Sequence, residues 1–572
     1  MTDRSMKWRF IASAAFLMVA MIGLGVRLAF LHLGHHEKVC AGLQHNRRFE
    51  KKIVARRGDI CDRRGKENIL VMNLAVKDIC ADPCEITKSN QVDFVASELA
   101  KTLELTSGEL TECLNRPDRR FMYIKRFAHD DIVEKIRQKK LMGVFFQDAT
   151  VRYYPHKSFM CHVLGFVNYE AVGSAGVEQY LDKYLKGSHG LVESQVNALR
   201  QELYWYRDQY IPALEGANVF LNLDQNVQYI VEKALDEVMA EHCAKGAWAI
   251  VERVRTGEIL AMASRPAFDL NEFGTANEKE KLNRAIGYVY EPGSTFKVAI
   301  ISAALNEGTV TPETILDCEN GSWLYKNRLL RDYHPYGKLT VADIIKKSSN
   351  IGDAKVALTL GENRLHRYLT AFGIGDVMGI DLPGEEQGIL HPVSRWSNIS
   401  LTRIAIGQGV AVTAIQMLGV VCAIANDGFL MRPYVVNRVS RNDGSILYQP
   451  TPEVLARPIS FETAAKMREL LSRVTQEGGT GRRAQVDGYE VAGKTGTGQK
   501  PVDGGYSSTA YIASFVGFLP AEDPEIAVIV VVDEPDPFHT GGIVAAPAFS
   551  KIAGETVRYL DIPPAEYRLV KR

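Results

Sequence analysis

Residues 248–262 read WAIVERVRTGEILAM, and this stretch carries the pattern that decides the fold class. Two apolar runs flank the turn signal Arg255-Thr256-Gly257, which predicts a β-hairpin. Near the other end of the chain, short β-branched or aromatic runs predict further strands at 489–492, 512–518 and 526–532. Helical patterns fill the region between them. Strands at both ends with helices between predict one antiparallel sheet closed by its first and last segments, in an α+β fold.

The composition is that of a folded globular protein, with 46% hydrophobic and 24% charged residues among 572. Lys plus Arg total 68, as do Asp plus Glu, so no basic excess supports nucleic-acid binding. Nine cysteines are too few for a disulfide-built scaffold, and Cys80 and Cys84 lack the second pair that a zinc site needs. We therefore expect mostly buried or unpaired cysteines, no metal and no cofactor.

An N-terminal apolar segment predicts a single membrane anchor. Residues 10–26 carry no charge, and after Arg27 apolar residues continue to Leu31, which gives roughly the 20 residues that span a bilayer. A cleaved signal peptide is the alternative, but the run is long for one and no clear A-x-A cleavage site follows it. Basic residues lie on both sides of this segment, so the positive-inside rule does not settle its orientation. Because a large domain after a short tail is usually exported, we place the chain after about residue 32 outside the cytoplasm.

The rest of the chain is predicted to form two modules. Residues 32–210 are polar and mixed, with scattered turn signals and short helical stretches, which indicates an irregular α+β pedestal. The segment 211–217 combines a Pro and a Gly before a new strand pattern and is the best linker candidate. The predicted order is a cytoplasmic tail at 1–9, the anchor at 10–31, the pedestal, the linker, and a second domain at 218–567.

The first candidate for chemistry is Glu291-Pro292-Gly293-Ser294-Thr295-Phe296-Lys297, followed by a helical pattern that Gly308 ends. Pro and Gly place Ser294 at the helix start, where the positive end of the helix dipole favours a developing alkoxide. Lys297 projects from the same face one turn later, and an amine kept neutral by burial can act as base for a hydroxyl. Alone, a Ser-x-x-Lys is a weak signal, since an exposed helix start also fits it.

Two further polar stretches strengthen this candidate. Ser348-Ser349-Asn350 follows a short helix predicted to begin at Thr340, so its hydroxyl and amide groups project from one turn and can relay a proton. An ordinary polar cap is the alternative reading of that triplet. Lys494-Thr495-Gly496-Thr497 follows the strand predicted at 489–492, and its Gly permits the local bend that a binding edge needs.

The last stretch also matches a phosphate-binding loop, since residues 488–495 read GYEVAGKT. A phosphate loop requires a strand before its first Gly and a helix that opens at the Lys. Here the strand pattern lies inside the motif, and the following GTGQKP (496–501) cannot begin a stable helix. We therefore expect no nucleotide site.

In the order Ser-x-x-Lys, Ser-x-Asn, Lys-Thr-Gly, behind an anchor and a first module, the chain resembles the class B penicillin-binding proteins, which are monofunctional peptidoglycan transpeptidases. Two segments resemble the scaffold motifs of that family, RGDICDRRG (57–65) and the GxE…LxG pattern at 176–187. Residues 407–416 resemble its GQGxxVTPxQ motif, with Ala414 where Pro is usual, a departure that concerns a helix start. The patterns at 513–518 and 541–547 are most similar to division-type members, although elongation-type members share much of them.

The resemblance assigns roles residue by residue. It implies Ser294 as nucleophile, Lys297 as its base, Ser348 as proton relay and Asn350 as the group that orients Lys297 and the substrate amide. It also implies that Lys494 tunes Ser348, that Thr495 and Thr497, with Gly496 between them, receive the terminal carboxylate, and that the backbone N–H groups of Ser294 and Thr497 form the oxyanion hole.

The implied reaction cross-links peptidoglycan stem peptides: Ser294 attacks between two D-alanines, and an amine of a neighbouring stem resolves the acyl-enzyme. β-Lactams would acylate the same serine. The implied partners are a SEDS-family glycan polymerase and other division proteins at the cytoplasmic membrane. Alternatives left open are an elongation-type transpeptidase, a membrane-bound carboxypeptidase or β-lactam sensor, and a non-catalytic division scaffold.

Overall fold

The computed structural model describes residues 3–34, 48–197, 202–503 and 505–564. Its strands are β1 (Arg48–Ile53), β2 (Ile60–Cys61), β3 (Ile69–Ala81), β4 (Met122–Ala128), β5 (Val144–Tyr153), β6 (Gly190–Val196), β7 (Glu202–Leu203), β8 (Gln209–Ile211), β9 (Asn218–Leu221), β10 (Gly246–Arg253), β11 (Ile259–Arg265), β12 (Ile315–Asp317), β13 (Ser322–Tyr325), β14 (Arg328–Arg331), β15 (Lys338–Thr340), β16 (Leu430–Met431), β17 (Val436–Ser440), β18 (Ile446–Tyr448), β19 (Val454–Ala456), β20 (Ala492–Val502), β21 (Gly505–Leu519) and β22 (Ile526–Asp533).

Its α-helices are α1 (Asp3–Ala29), α2 (Pro83–Lys88), α3 (Val92–Leu103), α4 (Ser107–Leu114), α5 (Asp130–Gln138), α6 (Cys161–Leu164), α7 (Gly176–Tyr180), α8 (Asp182–Leu185), α9 (Gln225–Glu241), α10 (Glu278–Lys281), α11 (Arg284–Gly287), α12 (Lys297–Asn306), α13 (Val341–Lys347), α14 (Asn350–Leu360), α15 (Glu362–Ala371), α16 (Ser400–Ala405), α17 (Ala414–Ala425), α18 (Phe461–Thr475) and α19 (Gly541–Tyr559).

The chain divides into two compact units, residues 1–56 with 187–216, and residues 57–186 with 217–572. This division does not test the domain boundaries expected from the sequence, which remain predictions.

The first unit contains α1 and a small sheet. α1 continues as a π-helical segment, Phe30–Gly34, and Met6–Leu33 is long and apolar enough to cross a bilayer. Its described side chains are exposed throughout, as those of a lipid-facing helix would be. In the sheet, β6 pairs antiparallel with β1, β7 and β8.

The second unit contains a seven-stranded sheet and a five-stranded sheet. In the larger one, β2 pairs parallel with β9 and antiparallel with β3, and β3 also pairs with β4 and β5. The five-stranded sheet has the order β11-β10-β22-β21-β20, and every pairing in it is antiparallel. The predicted hairpin forms β10 and β11, and β10 pairs with β22 from the far end of the chain. The α+β prediction is therefore confirmed.

Successive side chains of the five-stranded sheet point to opposite faces, and both faces are buried. Along β10, Trp248 and Ile250 join a core that also contains α12 and α17. Ala249 and Val251 point the other way, into a core with α9 and α19. The sheet therefore forms the middle of three layers. β20 ends the sheet, so its outer edge has no neighbouring strand among the described residues.

The sequence prediction placed a strand at 489–492 and a bend at the Lys494–Gly496 edge, and both details were wrong. β20 begins at Ala492 and contains the whole Lys-Thr-Gly segment. Its register against β21 is unbroken from Ala492 to Gln499 and shifts only between Gln499 and Pro501. Regular pairing with β21 satisfies the backbone hydrogen bonds on one side of β20, so the Lys-Thr-Gly segment needs no bend. Because a strand and not a helix follows Lys494, the phosphate-loop geometry is absent from this segment, as predicted.

Candidate active site

Ser294 lies in a tight turn that is packed against β20. A 3-10 turn, Gly293–Phe296, continues directly into α12. Gly293 has a φ of +56°, and a Cβ there would lie 2.8 Å from the carbonyl oxygen of Thr497. Only glycine fits this close approach. The turn therefore brings Ser294 beside β20, half-buried, with a hydroxyl that has no hydrogen-bond partner among the described residues.

The amine of Lys297 is fully buried in a ring of oxygen acceptors. It donates to the Ser348 carbonyl at 2.7 Å, the Asn350 amide oxygen at 2.8 Å and the Ser348 hydroxyl at 3.3 Å. Burial lowers the pKa of Lys297 to about 8, although the negative charges of Asp353 and Asp332 oppose this shift. The neutral form of this amine is therefore much more accessible than that of an exposed lysine.

The Ser348-Ser349-Asn350 turn connects α13 to α14 and is held by an acid that sequence reasoning missed. Ser348 has a φ of +61° at the end of α13. The Ser349 hydroxyl donates to Asp332 at 2.6 Å, and the backbone N–H groups of Asn350 and Ile351 donate to the same carboxylate. Asp332 therefore caps α14 and fixes where Ser348 and Asn350 point.

Lys494 approaches Ser348 from β20. Its fully buried amine donates to the Ser348 hydroxyl at 2.9 Å and to the Thr495 carbonyl at 3.1 Å. Burial lowers the pKa of Lys494 well below its usual range, and the neighbouring charge of Lys297 acts in the same direction while Asp353 opposes it. The Ser348 hydroxyl thus accepts from two amines, one on α12 and one on β20.

Asp353 is a second acid that the sequence reading missed. It lies in the first turn of α14, is fully buried, and neither carboxylate oxygen has a hydrogen-bond partner among the described residues. Burial raises the pKa of Asp353 to about 8, opposed by the positive charges of Lys297 and Lys494. Its only sequence signal is an acidic residue three positions after Asn350 on an otherwise apolar helix face.

The remaining predicted binding residues lie along β20. The Thr495 hydroxyl is buried and lies 2.8 Å from that of Thr480, and the Thr497 hydroxyl accepts from the Gly541 N–H at 3.1 Å. A Cβ at Gly496 would lie 2.3 Å from the Ser514 hydroxyl, so only glycine fits there. Both threonine hydroxyls therefore already have protein partners. Because the Thr497 hydroxyl accepts that bond, its own proton stays available to donate to a carboxylate.

The Gly407-Gln408-Gly409 segment closes one side of the site. A Cβ at Gly407 would lie 2.2 Å from the Gly293 carbonyl oxygen, and the Gly409 N–H donates to Glu291 at 2.9 Å. The helix after this segment begins at Ala414, capped reciprocally by Thr413 and Gln416. The absence of Pro at 414 therefore leaves the helix start intact.

Comparison with known proteins gives two family matches that together cover most of the chain. Residues 247–554 match the penicillin binding protein transpeptidase domain, and residues 52–221 match the penicillin-binding protein dimerisation domain. The chain belongs to the penicillin-binding proteins.

Relatives of this penicillin-binding protein span nearly its whole length. It is 31% identical to stage V sporulation protein D of Bacillus subtilis, over 97% of this chain and 86% of the relative. It is 30% identical to the peptidoglycan D,D-transpeptidase FtsI of Escherichia coli, over 97% and 92%. It is a class B penicillin-binding protein and a serine-type D,D-transpeptidase, so the resemblance inferred from the three motifs is confirmed.

Solved structures agree with this assignment. A peptidoglycan synthetase from Bifidobacterium adolescentis has a TM-score of 0.73 at 25% identity, covering 91% of this chain and 98% of that one. Penicillin binding protein 3 of Mycobacterium tuberculosis, complexed with aztreonam, has a TM-score of 0.70 at 27% identity, covering 90% and 98%. The penicillin-binding fold therefore extends over both sheets of the second unit.

Proposed function

We propose that this penicillin-binding protein cross-links stem peptides through an acyl-enzyme on Ser294, during synthesis of the septal wall. The observation that carries this proposal is the convergence of Lys297 and Lys494 on the Ser348 hydroxyl, beside the turn that holds Ser294. In this proposal, segments far apart in sequence supply Ser294 as nucleophile, Lys297 as desolvated base and Ser348 as relay hydroxyl. That is the equipment of serine acyl transfer with an amine base.

In the proposed first half-reaction, neutral Lys297 removes the proton of the Ser294 hydroxyl as its oxygen attacks the carbonyl between two D-alanines. The bond from Ser294 oxygen to carbonyl carbon forms, and the bond from carbon to nitrogen then breaks. The proton passes through Ser348 to the departing D-alanine amine. The hydrogen bonds of Ser348 to both lysines support this path, since each provides an amine at donor distance.

In the second half-reaction, an amine of a neighbouring stem attacks the ester, loses its proton through the same groups and restores the Ser294 hydroxyl. Asn350 keeps Lys297 in place, because its amide oxygen accepts from the lysine while its amide nitrogen donates to the Arg331 carbonyl at 2.9 Å. That second bond uses one of the two N–H donors of the amide and fixes its orientation. We therefore propose Asn350 first as a positioning residue for Lys297.

The oxyanion is proposed to lie between the backbone N–H groups of Ser294 and Thr497. The close approach of Gly293 to the Thr497 carbonyl supports this, because it brings the two backbones together. Fixed donors of this kind supply the largest single contribution in many acyl transfers. Thr495, Gly496 and Thr497 are proposed to contact the terminal carboxylate from the same strand.

The septal role, the partner and the orientation are also proposals. Similarity to FtsI supports division, while an elongation role remains the alternative. The N-terminal helix of Met6–Leu33 supports a single anchor in the cytoplasmic membrane. We place the catalytic domain on the periplasmic side because a large domain after a short N-terminal tail is usually exported. A SEDS-family glycan polymerase is the proposed partner, and complementation of a conditional septation mutant tests division against elongation.

The decisive experiment labels the purified full chain in detergent with a fluorescent penicillin. We expect a stable adduct that is lost in Ser294→Ala and retained in Ser302→Ala, a matched control on α12 whose hydroxyl bonds the Val298 carbonyl. Release of D-alanine from a pentapeptide and its capture by an added amine test transfer. An adduct that persists in Ser294→Ala would refute the assigned nucleophile. Release without capture would identify a carboxypeptidase.

A further inference from the structure

A cavity of about 570 Å³ beside the cleft is rich in positive charge. Its walls include three arginines, Arg328, Arg395 and Arg403, together with the side chains of Trp396 and Tyr506. None of the described residues that line it is Asp or Glu. A cavity of this size accommodates a small ligand or a short peptide segment. Its charge indicates that the ligand is an anion.

The three arginines lack acidic partners. Among the described parts of the chain, none of them forms an ion pair with a carboxylate, and Arg328 and Arg395 are exposed. Arg403 is half-buried, and it donates to the Leu329 carbonyl at 3.2 Å. Burial lowers the pKa of Arg403, and repulsion from Arg328 adds to this while Tyr506 opposes it. Clustered cations, of which Arg403 is partly desolvated, are stabilised when an anion binds between them.

The cavity adjoins the reacting groups. Gln499 lines it and lies two residues after Thr497 on β20, which places its backbone about 7 Å along the strand at the usual rise of a β-strand. Gly409 lines the opposite side, and its N–H binds Glu291, three residues before Ser294. An extended peptide beside β20 would therefore reach the cavity within about two residues of Thr497.

We propose that this cavity binds a free carboxylate of the donor peptide, carried on the N-terminal side of the scissile bond. The planar guanidinium groups of Arg328 and Arg403 suit such a group, since arginine recognises carboxylates through paired hydrogen bonds. This inference rests on the proposed transpeptidation and adds a determinant of which stem peptide is used. A diphosphate of a lipid-linked precursor has similar anionic chemistry and is the alternative source.

The test uses two D-alanyl-D-alanine pentapeptides that differ only in whether the side-chain and α-carboxyl groups of their second and third residues are free or amidated. We expect the full-length enzyme to prefer the free form by about tenfold in kcat/KM, mainly through KM, as one charge-assisted hydrogen bond would give. Arg403→Gln and Arg328→Gln should each remove the preference. Lys326→Gln, an exposed cation on the β13–β14 hairpin outside the cavity, should keep it.

Two readouts separate this proposal from its alternatives. Acylation by benzylpenicillin should be the same in all three variants as in the unmodified enzyme. If the unmodified enzyme is not acylated at all, the proposed function is refuted, and not the subsite. Equal use of both peptides by the unmodified enzyme would overturn the subsite, as would a preference retained in the arginine variants. Inhibition by inorganic pyrophosphate that disappears in Arg403→Gln, without any peptide preference, would assign the cavity to a diphosphate and overturn the carboxylate.

Discussion

The amine of Lys494 lies 2.9 Å from the hydroxyl oxygen of Ser348, although the two residues are 146 positions apart in the sequence. The same oxygen lies 3.3 Å from the Lys297 amine. Two desolvated ammonium groups so close to one acceptor repel each other, which favours loss of a proton from one of them. The geometry therefore explains why the pKa values of both lysines are lowered, as the proposed base requires.

The pH dependence of acylation follows from Lys297. Its pKa of about 8 means that the protonated fraction falls, and the neutral base grows, as pH rises through that value. We expect the second-order rate constant for acylation by a chromogenic cephalosporin to rise through about pH 8 and then level off. A rate that stays constant or falls over this range would contradict a neutral Lys297 base.

The negative charge of Asp353 opposes the fall in the pKa of Lys297, and because the pKa of Asp353 is itself about 8, the two groups titrate over the same pH range. Asp353→Asn removes that charge at nearly constant shape, so Lys297 should lose its proton at lower pH. We expect the rising limb of the acylation profile to move down by about one pH unit, a typical effect of one nearby charge. Asp443→Asn, a change at an exposed turn, is the matched control.

A rising limb that stays in place in Asp353→Asn would show that the acid is not coupled to the base. The shift in pH, unlike a general loss of rate, is not expected from a purely structural defect.

Ser348→Ala removes the acceptor shared by both amines. We expect the acylation rate to fall by about 10² to 10⁴, the usual contribution of a positioned proton-transfer group. Stopped-flow measurement with the same cephalosporin gives the rate, and Ser302→Ala on α12 again serves as control. An unchanged rate would mean that the proton reaches the leaving group by another route.

Much of this site was predictable from sequence because the reacting groups come in short local motifs. Ser294, Lys297, Ser348 and Lys494 each lie in a segment with a recognisable turn or strand pattern. The structure joins Lys297 and Lys494 to Ser348 by hydrogen bonds and packs the turn that contains Ser294 against β20. The family resemblance then supplied the order of the motifs. Local pattern could not give the depth of burial, which lowers the pKa of both amines and depends on the whole core.

The acids and the cation cavity were not predictable in the same way. Asp332 follows β14 in an ordinary loop, and nothing in its local sequence indicates that it caps a helix beginning 18 residues later. The arginines of the cavity come from the β13–β14 hairpin and the segment around α16, which only the tertiary fold brings together. The prediction of a bend within β20 was wrong because the local sequence does not show that this segment pairs regularly with β21.

The last prediction concerns stability and the two scaffold motifs. Fully buried Glu178, from the GxE motif, accepts from the guanidinium groups of Arg57 and Arg152, each at 2.6 Å. Glu178→Gln nearly preserves volume but leaves buried Arg152 without a carboxylate partner and Arg57 with Asp182 alone. Removing one member of a buried ion pair costs about 3–5 kcal/mol, and we expect the free energy of unfolding to fall by about 3 kcal/mol, because the amide oxygen still accepts one bond.

Urea unfolding of the full chain in detergent, followed by loss of penicillin labelling, measures this change. Glu134→Gln is the control, since Glu134 pairs with Arg137 at 2.9 Å on an exposed helix face, where such a pair contributes about 0.5 kcal/mol or less. At low urea we expect both variants to label as fully as the unmodified chain, because neither residue lies in the cleft. If Glu178→Gln unfolds at the same urea concentration as Glu134→Gln, the ion cluster is not a determinant of stability. A variant that unfolds earlier yet labels normally while folded would assign the two motifs to the scaffold alone.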